Sequence, residues 1–157
     1  MIQTTKVLRF LDSIYLLLLG LSVGAIIACA FSAPTIFRAG DILELPITQT
    51  QSGILMGKIF EKLNVVLYFT AGGIIIFEFI FAKMFRTSNV IIALSAGINL
   101  IMIFLFALYY TPYILSAPDT QSSEFHSMHA QSVIVFDILL ICLCVLFVAK
   151  FLKITQR

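Results

Sequence analysis

The chain has 157 residues, 61% of them hydrophobic and 11% charged, with a formal net charge of +2 and a mean hydropathy of +1.07. That composition is too apolar and too sparsely charged for a water-soluble domain, so it points to a lipid bilayer and gives no footprint for nucleic acid. Four apolar runs, 13–34, 63–82, 89–111 and 132–149, each reach or approach the roughly 20 residues that cross a hydrocarbon core of about 30 Å. They use nearly the whole chain, which predicts one all-α membrane domain over 1–157, a four-helix transmembrane bundle.

Residues 1–11 read as a short basic lead-in, and Asp12 with Ser13 can cap the helix that follows. The first transmembrane helix, about 12–35, is too long for a secretory h-region, and Ala33-Pro34-Thr35 is a poor cleavage context, so it belongs to the mature chain. Gly20, Gly24, Ala28 and Ser32 recur every fourth residue in it and form one seam of small side chains along a helix. This seam is expected to organise the packing of the rest. Pro34 lacks an N–H and constrains Ala33, so the helix should loosen or end there.

The connection 39–62 holds a short coil with Gly40 and Pro46, then TQTQSGILMGKIFEKL. Ile54, Leu55, Ile59 and Leu63 occupy one flank of that stretch, Lys58, Glu61 and Lys62 another. It reads as an amphipathic outer helical extension that can run straight into the second transmembrane helix, about 63–84, with Gly53 and Gly57 repeating the small-residue spacing. Gly72 and Gly73 at the centre of that span favour close packing, and Glu78 stands near Lys83. The third span, about 88–111, carries Ser95, Gly97 and Asn99 and ends in Tyr109, Tyr110 and Tyr113, which suit a headgroup belt. Pro112 and Pro118 are expected to stop it. Ser122, Ser123 and Glu124 look like the start of the last helix, with His126 and His129 in its first turns and Asp137 in the outer half of the fourth span, about 130–151.

Orientation follows from the basic residues. Lys6, Arg9, Lys83, Arg86, Lys150, Lys153 and Arg157 fall on one side, and Arg38, Lys58 and Lys62 on the other. The positive-inside rule therefore places both termini in the cytoplasm, with the bundle in the cytoplasmic (inner) membrane. Asp41, Glu44, Glu61, Asp119 and Glu124 all fall on the outer side.

Ionisable groups within a bilayer are where function is sought first. Glu78, Asn99 and Asp137 are the intramembrane polar candidates, and with His126 and His129 they admit two accounts. One is a polar track able to pass protons or hold a cation; the other is hydrogen bonding between helices, with Glu78 reaching toward Lys83 or the cytoplasmic interface. The cluster His126, Ser127, Met128, His129 pairs imidazole with thioether, a donor set that suits copper, although two surface histidines near a helix start need no metal. No other cofactor is expected. Cys29, Cys142 and Cys144 lie in apolar segments without a pairing geometry, so they read as small apolar filler. There is no haem-type histidine pair, phosphate loop, CxxC or nucleophile triad, so the chain is not expected to be an enzyme.

Ala33-Pro34-Thr35-Ile36-Phe37 at the end of the first helix, Gly53, Gly57 and Phe60 before the second, and His129 with Ser132 opening the fourth resemble a known pattern. It is that of the four-helix membrane family named after transmembrane protein two-hundred-and-five. The resemblance covers nearly the whole chain and implies an integral membrane protein of no agreed biochemical activity. In that family an Asn follows the His by seven positions; Phe136 stands at that place here and Asp137 one further on. Copper-resistance membrane proteins, with outward histidines and methionines, supply a looser analogy for a metal link. The expected role is that of a non-enzymatic accessory, assembly or stabilising subunit packed against another membrane protein or a second copy of itself. The alternative is a small transporter or copper-handling protein using the outer His pair and Asp137.

Overall fold

A computed structural model describes residues 2–81, 89–117 and 122–156. Lys83, Arg86, Asp119 and Arg157, which enter the orientation argument, and Pro118, expected to stop the third span, lie outside the described residues. Among those described there is no strand, and four helices are long and apolar enough to cross a membrane.

The first crossing is α1 (Ile2–Phe37), followed by the short α2 (Ala39–Leu43). Helix α3 (Gln49–Ile74) opens on a capping box, in which Thr48 accepts from the Gln51 backbone and the Gln51 side chain accepts from the Thr48 backbone. It continues into a π-helical segment, π1 (Ile75–Phe81). Helix α4 (Val90–Phe104), capped by Asn89, likewise passes into π2 (Leu105–Tyr110) and then α5 (Thr111–Ser116). The last crossing, α6 (Ser123–Thr155), is capped by Ser122, whose Oγ accepts from the Phe125 N–H.

Helix α1 packs against α3 and α6, and α4 against α6 and α3, so the crossings run up and down around a square with α3 diagonal to α6. Each lends one row of side chains to the interior: Tyr15, Leu19, Ser22, Ile26 and Cys29 from α1; Leu63, Leu67, Thr70 and Ile74 from α3; Ile92, Ala96, Asn99 and Ile103 from α4; Val135, Leu139, Leu143 and Leu146 from α6. The three- and four-residue steps keep one face inward. Outside this core the surface is apolar, as contact with lipid tails requires.

Several local expectations change. Helix α1 starts well before Asp12 and Ser13, which are therefore interior to it; the Ser13 hydroxyl donates to the Arg9 carbonyl. Pro34 does not end α1, which runs on to Phe37 with the Arg38 N–H reaching the Pro34 carbonyl at 3.2 Å. Pro112 does not stop the third crossing either. It follows a π turn, where the wider coil offsets the N–H that proline lacks, and the Thr111 hydroxyl donates to the Phe106 carbonyl at 3.0 Å. The outer extension does run unbroken into the second crossing. Its inward residues are Ser52, Met56 and Gly57, whereas Ile54 and Leu55 face outward.

Candidate functional site

The charged chemistry of the bundle converges at the end where α1 begins, α3–π1 finishes and α6 leaves the core. The Lys150 ammonium lies 2.9 Å from Glu78 Oε1 and 3.8 Å from Asp12 Oδ1, with Lys150 and Glu78 both buried. The same ammonium sits 5.2 Å from the centre of the Tyr15 ring, which stacks on Phe77 with centroids 4.5 Å apart. The Tyr15 hydroxyl is buried beside them.

Sequence reasoning let Glu78 reach toward Lys83 or the cytoplasmic interface and counted Lys150 among the cytoplasmic basic residues; Lys83 lies outside the described residues, and the structure pairs Glu78 with Lys150. The reason is register. Residues 139, 143, 146 and 150 step along one face of α6, so Lys150 continues the core row, and 67, 70, 74 and 78 do the same in the second crossing. That signal was present in the sequence, masked by reading the lysine as a flanking charge. The π1 turn adds an extra residue per coil and sets the Glu78 carboxylate inward while Phe79 and Ile80 stay exposed. An ion pair sealed this way clamps α3–π1 to α6, and breaking it would leave an uncompensated charge away from water.

The middle of the bundle is hydrogen-bonded locally. Ser22 and Thr70 bridge α1 to α3 through their hydroxyls; one of the two donates across the bridge and the other donates to its own helix backbone, at the Leu18 or Val66 carbonyl. Asn99 is fully buried; its amide donates to the Ser95 carbonyl at 2.8 Å and its Oδ1 has no hydrogen-bond partner among the described residues. Asn64, which the sequence reading did not single out, also buries an unpartnered Oδ1. At the far end Tyr110 donates to Gln131 and Tyr113 to Glu124, tying the third crossing to the fourth.

The predicted polar track is not assembled. Glu78 and Asn99 face inward, whereas Asp137, His126 and His129 are exposed on α6. Phe136 fills the inward place, half-buried among Phe60 and Phe106 with ring centroids 6.1 and 5.1 Å away. One helical step of about 100° turns Asp137 outward, so it does not share the face of Phe136. His126 and His129 flank Phe125, whose ring stacks on His129 at 6.0 Å, while Met128 turns back onto the core. Among the described residues no three His, Cys, Asp or Glu side chains converge as a metal site. The three cysteines are free.

The small residues divide into two groups. Gly73 and Gly57 are buried in contacts: an added methyl would meet Leu18 Cδ2 at 2.6 Å and Tyr15 at 3.7 Å at Gly73, and would overlap Leu115 at Gly57. Gly53 and Gly72 meet nothing. The α1 seam turns away from the bundle interior: Gly24 and Ala28 are exposed and Gly20 and Ser32 half-exposed, and of its two glycines only Gly20 would bring an added methyl near a neighbour, Phe147 at 3.6 Å. The core row of α1 is the opposite face. The seam instead floors an open groove of about 650 Å³ on the outer surface, walled by Leu17, Leu21 and Phe147.

Four membrane-length helices, an apolar exterior and an interior of local hydrogen bonds closed by an ionic clamp define an integral membrane helical bundle. The sequence model described as a domain of unknown function, DUF4149, matches residues 17–123, and the chain belongs to that family. No curated protein and no solved structure matches it.

Proposed function

We propose that the protein is a non-enzymatic membrane subunit that assembles with or stabilises another membrane protein, its α1 groove receiving a partner helix. What supports this is the outward position of Gly20, Gly24 and Ala28, which leaves backbone within reach of a second helix that the protein's own bundle does not supply. The inner polar groups offer no competing role, since they bond within the bundle or sit sealed in its core. Both termini belong in the cytoplasm on this reading, and the likeness to the transmembrane protein two-hundred-and-five family is part of it. The transport or copper-handling alternative rests on the outward His126, His129 and Asp137.

The test is Gly24→Leu. A Cβ added at this position meets no neighbouring atom within 4 Å and the site faces outward, so helicity and thermal stability should be unchanged while the groove is blocked. Affinity purification in mild detergent should then lose a protein that accompanies the wild type. Identical co-purifying proteins from both would overturn the proposal.

A further inference from the structure

Two opposite charges exposed on the outside of the bundle have no partner among the described residues. Asp137 lies in the fourth crossing and is exposed. It points roughly 160° away from the Val135, Leu139, Leu143 and Leu146 row, between the exposed Ile134 and Ile141. No hydrogen bond or ion pair reaches it from the described residues, and its side chain is too short to reach the interface as a lysine would. Lys62 is exposed on α3 and makes no ion pair among the described residues; its neighbour Lys58 is taken by Glu61 at 2.8 Å.

The two stand at nearly one depth. The Glu78–Lys150 contact fixes a common level for the second and fourth crossings. From it Asp137 lies about 20 Å up one axis and Lys62 about 24 Å up the other. A difference of about 4 Å is within reach of a lysine's four-carbon stem. They cannot meet inside one molecule, because α3 and α6 are diagonal and touch through their inward rings, Phe60 and Phe136.

We propose that Asp137 of one copy pairs with Lys62 of a second copy, α6 of the first seated on α3 of the next. A carboxylate facing hydrocarbon needs a cation, and this chain carries a free one at the matching depth. An isologous α6–α6 contact would instead set Asp137 on Asp137. Because α3 and α6 stand at diagonal corners, one two-fold face cannot hold both Asp137–Lys62 pairs, so the contact is head-to-tail, giving a ring where the rotation closes and a row where it does not. It uses faces other than the α1 groove and does not depend on the function proposed above.

The experiment measures association of the full-length protein in lipid bilayers by energy transfer between differently labelled copies. Asp137→Lys and Lys62→Asp should each lower the association constant about tenfold, and the double exchange should restore it. In a background lacking Cys29, Cys142 and Cys144, an Asp137→Cys copy should form a disulfide with a Lys62→Cys copy and not with itself. Helicity measured alongside, with Asp137→Asn and Lys62→Gln as milder variants, separates lost contact from lost fold. A monomeric wild type, single variants that associate normally, a double exchange that does not recover, or an Asp137→Cys chain that cross-links to its own kind would each overturn the proposal. So would loss of a different protein from Asp137→Asn without loss of self-association. All of these leave the Gly24→Leu result untouched.

Discussion

At Lys150, an ammonium and a carboxylate 2.9 Å apart are both almost sealed from solvent, with side-chain exposures of 10% and 2%. Separating such charges exposes each to the full cost of an unpaired ion in a poor dielectric, while removing both costs little. Glu78→Leu or Lys150→Met alone should therefore destabilise the bundle by about 3–5 kcal/mol, and the double substitution by much less. Denaturant titration of the purified protein in detergent measures both. If the double variant loses the sum of the two singles, the residues are not acting as a pair. Tyr15 and Asp12 extend the same argument to α1, since its first turns share the clamp through the ring beneath the ammonium and the carboxylate at 3.8 Å.

Among the elements, the four crossings were legible because hydrocarbon thickness imposes a length that apolar runs must meet, and runs starting at 13, 63, 89 and 132 meet it. What a run does not tell is which face turns inward. In lipid both faces of a helix are apolar, so α1 offers no contrast between Leu19, which is buried, and Leu17 and Leu21, which are not. The small-residue seam was taken for the packing face on that account. The π turns were also hidden, since LFALYY and IIFEFIF carry no residue that marks a wider coil. The glycines test the assignment of faces. Gly73→Leu forces a large side chain against Leu18 and Tyr15 and should lower stability by about 1–3 kcal/mol through overpacking. Gly24→Leu, on the outward face, should lower it by less than a thermal melt resolves. Equal losses at the two sites would mean that α1 is rotated relative to the face described above.

For the molecule as a whole, the ion pair and the tyrosine bonds fix the order of the ends. Lys150, Glu78 and Asp12 meet at one end, while Tyr110–Gln131 and Tyr113–Glu124 close the other. Four crossings then return the chain to the side from which it set out, so residues 44 and 155 must lie on opposite sides of the bilayer whatever the orientation. Which side is cytoplasmic is decided by charge, because lysine and arginine resist export during insertion. Arg9 and Lys153 flank the clamped end, and Arg38 and Lys58 the other. With Lys6, Lys83, Arg86, Lys150 and Arg157 the excess lies at the terminal end. In a cysteine-free background, Glu44→Cys in intact cells should react with a membrane-impermeant maleimide, and Thr155→Cys only after permeabilisation. Labelling of both in intact cells would break the four-crossing topology itself. The reverse pattern would keep the bundle and invert it, moving both chain termini and the Lys150 clamp to the outer face and Asp137 to the inner half of the membrane.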